Sequence, residues 1–120
     1  MIVFDQFPRN IFRGSPEAFA TDTKALSLAA ETIDLGHDRE LTVDERKFLL
    51  MPFQHAEDRE VQAQSVDLFE RLGDDNTLAF AQAHKDVIDQ FGRFPHRNAI
   101  LGRQSTAEEK VYLEQPDAGF

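Results

Sequence analysis

HAEDREVQAQSVDLFERLGDDNTLAFAQAHKDVIDQFG, residues 55 to 92, decides the fold class. Each half places apolar residues at helical spacing and then stops at a glycine. Val61, Leu68, Phe69 and Leu72 share one arc before Gly73; Phe80, Val87, Ile88 and Phe91 share another before Gly92. The spacing predicts helices over about 55–72 and 76–91. Upstream, Ser15 is placed to cap, Pro16 and Glu17 suit a first helical turn, and Gly36 supplies a stop. Phe19, Leu26, Ala30 and Ile33 lie on one face between them, with Asp22 at its edge, where a solvated acid is not expected. Thr42-Val43-Asp44-Glu45 is a capping box opening a short helix that Met51-Pro52 is expected to end. Downstream, Ser105-Thr106-Ala107-Glu108-Glu109 offers overlapping capping boxes for a last short helix. No segment alternates with period two over five or more residues, so strands are not expected. The expectation is an all-α chain of about five helices, antiparallel where connections are short, forming one domain over residues 1–120.

The bulk numbers fit that class and exclude others. The chain has 120 residues, 41% hydrophobic and 29% charged, with eleven phenylalanines, one tyrosine and no tryptophan. Phenylalanine is the expected bulky core residue. A net charge of −9 argues against a nucleic-acid partner, which needs a basic face, and against an anionic membrane surface. With no cysteine there are no disulfides, thiolate metal sites or cysteine nucleophiles. That composition fits a cytoplasmic location. MIVFDQFPRN lacks the basic start and apolar run of a signal peptide, and no run is long enough to span a membrane.

Against this acidic background, residues 91–104 carry Arg93, Arg97 and Arg103 and no acid. An echo lies near the start. Phe7-Pro8-Arg9-Asn10-Ile11 resembles Phe94-Pro95-His96-Arg97-Asn98-Ala99-Ile100, each followed by an arginine–glycine pair. Five of the nine arginines, Arg9, Arg13, Arg93, Arg97 and Arg103, sit in these two corners. A guanidinium fork suits carboxylate or phosphate. If the corners meet, Arg9, Asn10, Arg13, Arg93, His96, Arg97, Asn98 and Arg103 can line a pocket for an anionic small molecule or peptide. The alternative is internal pairing with Asp5, Asp22, Asp58, Glu108 or Glu109, which would make the arginines structural and the chain a protein-association domain.

His55 and Asp58 join the candidate set. On one continuous helix, His55, Asp58 and Gln62 share a stripe. A metal there needs a further ligand, such as His96 or Asp22, and no metal or cofactor is expected. Asp58 can equally cap its helix. His55 and His96 are the candidate acid–base groups, since imidazole titrates near neutrality and an arginine stabilises developing charge. No nucleophile motif accompanies them. His84, within an apolar face, reads as a core residue, and Glu57 and Glu60 read as helix-start acids complementing the dipole.

The stretches Phe4-Asp5-Gln6-Phe7-Pro8-Arg9-Asn10 with Arg13-Gly14, Ala18-Phe19-Ala20-Thr21-Asp22, Met51-Pro52-Phe53-Gln54-His55-Ala56-Glu57-Asp58 and Phe91-Gly92-Arg93-Phe94-Pro95-His96-Arg97-Asn98, followed by Ser105-Thr106-Ala107-Glu108-Glu109, resemble the bacterial family called domain of unknown function 924. The resemblance covers nearly the whole chain. It implies an all-helical, tetratricopeptide-like fold and carries no established activity or substrate, although a 34-residue repeat is not visible in the residues. It also implies a further helical segment upstream of the first motif, so a shortened form with uncovered apolar surface, and hence self-association, is expected. Ala56 stands where the family often has serine.

Overall fold

The computed structural model describes residues 6–11 and 13–120. Phe4 and Asp5, with the pairing expected of Asp5, lie outside them. The described residues form seven α-helices and no strand. They are α1 (Phe7–Ile11), α2 (Asp22–Asp34), α3 (Val43–Gln54), α4 (Arg59–Leu72), α5 (Asp75–Phe91), α6 (Asn98–Leu101) and α7 (Ala107–Leu113), with 3-10 turns at Pro16–Phe19, His37–Glu40 and Pro95–Arg97. Two more helices are present than the expected five. The extra ones, α1 and α6, are the two Phe-Pro corners, each too short to carry a helical period. No helix among the described residues is long and apolar enough to cross a membrane.

The starts and stops follow local chemistry. Thr42 and Thr106 form complete capping boxes with Glu45 and Glu109. Gly36, Gly73 and Gly92 end their segments in the left-handed region, where a side chain would strain the backbone. Ser15 caps only the turn Pro16–Phe19; α2 begins afresh at Asp22, so the expected helix from Ser15 to Gly36 is broken at Ala20-Thr21.

Proline does not end α3 as its sequence predicts. Pro52 sits inside the helix, buried, and α3 continues to Gln54. An interior proline costs about 3 kcal/mol through a lost hydrogen bond and a clash. That cost falls in the last turn and is offset by burying Pro52 and Phe53, and by Gln62. Gln62 is fully buried in the first turn of α4. Its Nε2 donates to the carbonyls of Gln54 (2.7 Å), Ala56 (2.8 Å) and Phe53 (3.4 Å). One side chain thus caps the end of α3. The expected helix from His55 is accordingly split: His55 is the C-cap of α3, and Asp58 is the N-cap of α4, accepting from the Val61 N–H at 3.0 Å. His55, Asp58 and Gln62 therefore do not form one helical stripe.

Neighbouring helices run antiparallel. Leu49 and Leu50 of α3 pack near Leu68 and Phe69 late in α4, while Phe53 packs near Val61 at its start. Leu72 at the end of α4 packs near Leu78 at the start of α5, and a Cβ on Gly92 would meet the Arg59 guanidinium at 3.4 Å. The apolar clusters follow one another. Ala29, Leu49 and Phe53 join α2 to α3 and α4; Leu50, Phe69 and Ala81 join α3, α4 and α5; Val87, Ile88 and Phe94 join α5 to the Arg-rich loop. Among the phenylalanines, Phe53, Phe69 and Phe94 are buried, whereas Phe48, Phe80 and Phe120 are substantially exposed. Alanines at positions 25, 29 and 81, fully buried, let the helices approach closely.

Replacing Gln62 with leucine is expected to lower stability by about 2–4 kcal/mol, because buried carbonyls lose their donor. Urea unfolding measures it; a loss below about 0.5 kcal/mol would refute the capping role.

Candidate functional site

The two corners do meet, across Phe19. The Arg97 guanidinium carbon lies 4.4 Å from the Phe19 ring centre and 4.8 Å from that of Phe94, and Arg9 lies 5.5 Å from Phe19. Most of the arginine charge between them is met internally. Arg9 binds Asp22 bidentately at 2.8 and 2.9 Å, which explains the acid on the edge of the α2 face. Arg93 binds Glu109 bidentately at 2.9 and 2.8 Å and also the Gln104 carbonyl. Arg103 binds both oxygens of Glu57 at 3.0 Å, the Asn98 side chain at 3.0 Å and the Phe94 carbonyl at 3.1 Å. Glu57 also accepts from the Phe94 N–H at 2.7 Å. Burial pushes Glu57 up, but the bonds from Arg103 and Phe94 and the nearby arginine charges bring it below the ordinary carboxylate range.

Arg97 is treated differently. It is 6% exposed, and Nη2 donates to the His55 carbonyl at 2.9 Å. Its nearest carboxylates, Asp22 and Glu57, stand 3.8 and 3.9 Å away, and each is already held bidentately by another arginine. Burial brings its pKa down to about 10, partly opposed by Glu57 and Asp22, so it remains charged at neutral pH.

Arg97 divides two cavities. One, of about 410 Å³, has Asp22 and Glu57 in its wall. The other, of about 390 Å³, has no acidic side chain among the described residues: Arg9, Arg97, Gln54 and three histidines meet there between aromatic rings. His84 stacks on Phe120 at 3.8 Å and 9°, and Phe94 meets His84 edge-on at 5.6 Å. Gly119 permits that return of the chain: its φ is +86°, and a Cβ there would lie 3.1 Å from His96. His84 Nδ1 is 2.7 Å from the Phe80 carbonyl, which can only accept, so Nδ1 carries the proton and Nε2 is left as an acceptor. Burial first, then the surrounding positive groups, bring His84 down to about 4 despite the Phe80 bond. Burial and Arg97 do the same to His96, also to about 4, against the opposing pull of Glu57. Three side chains in its wall each carry a buried polar atom, Gln54 Oε1, His96 Nδ1 and Arg97 Nε, that makes no hydrogen bond within the described residues; Gln62 Oε1 and Ser65 Oγ in the core also make none.

Of the predicted residues, Arg9, His55, His96 and Arg97 come together at the 390 Å³ cavity. Arg93, Asn98 and Arg103 are structural neighbours of it, and Asn98 is buried and bonded to Ser105. Asn10 and Arg13 are exposed and bond to each other at 3.2 Å. Asp58 is a cap. Of the acids offered as arginine partners, Asp22 and Glu109 hold that role and Asp58 does not. Sequence reasoning missed Glu57, which reads as a dipole complement, and it missed Gln54. It placed His84 in the core, where it is buried, without its cavity face. Among the described residues no group of three or more His, Cys, Asp or Glu side chains is arranged to hold a metal ion.

The chain matches the family described as "Bacterial protein of unknown function (DUF924)" over residues 1–117, and it belongs to that family. No curated protein matches it. A solved structure of a protein of unknown function from Agrobacterium tumefaciens is 48% identical with a TM-score of 0.90, over 94% of this chain and 64% of that one. This chain therefore spans less than two thirds of that relative's length.

Glu57→Gln is expected to cost about 1.5–3 kcal/mol, since Arg103 and Arg97 lose a partly buried counter-charge. Arg13→Ala is expected to change stability by less than about 0.5 kcal/mol. Denaturant unfolding of both variants checks the contrast; equal effects would contradict the assignment. The two histidines add a pH dependence. Unfolded, each binds a proton near pH 6.5; folded, each waits until about 4. Stability is full above 6.5 and falls by roughly 2–4 kcal/mol per histidine as pH drops toward 4. His84→Gln should flatten that slope in urea melts across the window, and an unchanged slope would exclude His84 as a contributor.

Proposed function

We propose that this member of the DUF924 family is a tetratricopeptide-like helical binding module whose Arg97 cavity takes a small ligand with one carboxylate and a flat apolar body. The three polar atoms without partners, Gln54 Oε1, His96 Nδ1 and Arg97 Nε, carry this reading. Buried polar groups are nearly always hydrogen-bonded, and three such atoms on side chains that line one cavity support an outside partner there. The mixture selects the partner. Arg97 offers a charged donor and a charge that its protein carboxylates only share, and Gln54 offers an acceptor. Phe19, Phe80 and Phe120 offer aromatic surface. The antiparallel contacts of α3 with α4 and of α4 with α5 support the stacked-pair architecture.

A small hydrolase using His55 or His96 as acid–base has less support. His96 titrates at about 4, well below the value that serves proton transfer at neutral pH.

The test is thermal stabilisation of the full chain by phenylacetate and 4-hydroxyphenylacetate, with the neutral amides as controls. Saturable stabilisation by the acids is expected, with at least about tenfold weaker binding of the amides and of the acids to Arg97→Gln. The exposed rim variant Phe80→Ala should weaken the acids without unfolding the chain. No response to either acid, or equal response to acid and amide, would defeat the reading.

A further inference from the structure

The arginines outside the two corners are Arg39, Arg46, Arg59 and Arg71. Three of them, Arg39, Arg46 and Arg71, ring another cavity of about 240 Å³. It lies at the opposite end of the α3–α4 pair from His55 and Arg97. Leu49 and Leu50 come from α3, Leu68 and Leu72 from α4, and Ile33 from the last turn of α2. Asp38 is the one acid in its wall among the described residues. In a chain of net charge −9, three arginines over an aliphatic floor are a marked departure from the surrounding surface.

The state of each arginine matters more than the number. Arg46 is half-buried, and its fork is fixed by two main-chain carbonyls: Nε donates to Asp38 at 2.8 Å and Nη2 to Arg39 at 3.1 Å. Neutral acceptors orient a guanidinium without cancelling its charge, and Nη1 has no hydrogen-bond acceptor among the described residues. Arg39 is exposed and has no carboxylate partner among the described residues. Arg71 pairs with Asp67 at 2.9 Å, but both side chains are more than half exposed and solvent screens them. The corner arginines Arg9, Arg93 and Arg103 contrast with this, each holding a carboxylate bidentately.

We infer that this cavity is a second ligand site, for a short alkyl carboxylate. The head group meets Arg46 Nη1 and Arg39, and the chain lies along Ile33, Leu49, Leu68 and Leu72. The walls between the arginines are aliphatic, unlike the aromatic walls beside Arg97, so a flexible saturated chain fits better than a flat ring. The volume is below the range of about 300–1,000 Å³ usual for drug-sized ligands, which excludes a nucleotide and suits a chain of roughly six to eight carbons. A free inorganic anion would use the arginines and leave the aliphatic wall in water. The site stands on its own residues and does not depend on the Arg97 cavity.

The probe is sodium octanoate, kept below micelle-forming concentration, titrated into the full chain and followed by methyl and backbone NMR. Saturable shifts are expected at Ile33, Leu49, Leu50 and Leu72 and at the Arg46 side chain. Binding should weaken about tenfold in Arg46→Gln and about threefold in Arg39→Gln, whose side chain is exposed. Arg39→Gln keeps the test open should Arg46→Gln fail to fold. 1-Octanol should bind at least several-fold more weakly. The inference is overturned if no shift saturates, if the shifts map to Phe80 and His84, if inorganic phosphate binds as tightly as octanoate, or if Arg39→Gln binds like the unsubstituted chain.

Discussion

Glu57 ties together parts of the chain that are far apart in sequence. It sits in the short break between α3 and α4, yet it accepts two bonds from Arg103 and one from the Phe94 main chain. Those contacts pin the Arg-rich loop onto the start of α4. Phe94 is thereby held fully buried against Val87 and Ile88, and Arg97 is pressed between Phe94 and Phe19. A partly buried carboxylate is costly to desolvate, and its pairing must be geometrically good to offset that. Here one fork meets both oxygens, which explains why the acid stays ionised.

Gln62 makes the position of Glu57 available. An interior proline and a helix end leave several carbonyls without donors within a few residues. Gln62 reaches back from α4 and meets them, so the 55–58 break is held rigidly. His55 and Glu57 then point toward the loop that carries His96, Arg97 and Arg103. The polar break, the Arg-rich loop and the first corner are one bonded unit, joined further by Arg9 and Asp22.

Within that unit the positive charges divide by role. Arg9, Arg93 and Arg103 each hold a carboxylate of the protein with both prongs and serve as structure. Arg97 shares its counter-charges and backs onto a cavity with no acid among the described residues of its wall. The neutral state of His84 and His96 has the same origin: burial and a nearby guanidinium both disfavour a second positive charge. The cavity therefore presents two guanidiniums, Arg9 paired with Asp22 and Arg97 with its carboxylates shared, between aromatic walls.

Local rules in the sequence determined the all-helical class, the stop at each of Gly36, Gly73 and Gly92, the capping boxes at Thr42 and Thr106, and the concentration of arginine in two similar corners. These depend on near neighbours, and periodicity and capping read near neighbours well. The short helices α1 and α6 escaped because four or five residues hold no period. The course of α3 through Pro52 escaped because Gln62, ten residues on, offsets the local penalty. The sequence marked Arg9, His55, His96 and Arg97 as candidates by residue type. It did not distinguish Arg97 from Arg103, since both are arginines in one acid-free loop. That distinction was decided by tertiary structure alone: Glu57, forty-six residues before Arg103, is within bonding distance of one guanidinium and an ångström too far from the other. Side chains distant in sequence meet only through the packing of helices, and Coulomb and hydrogen-bond energies depend on that final distance.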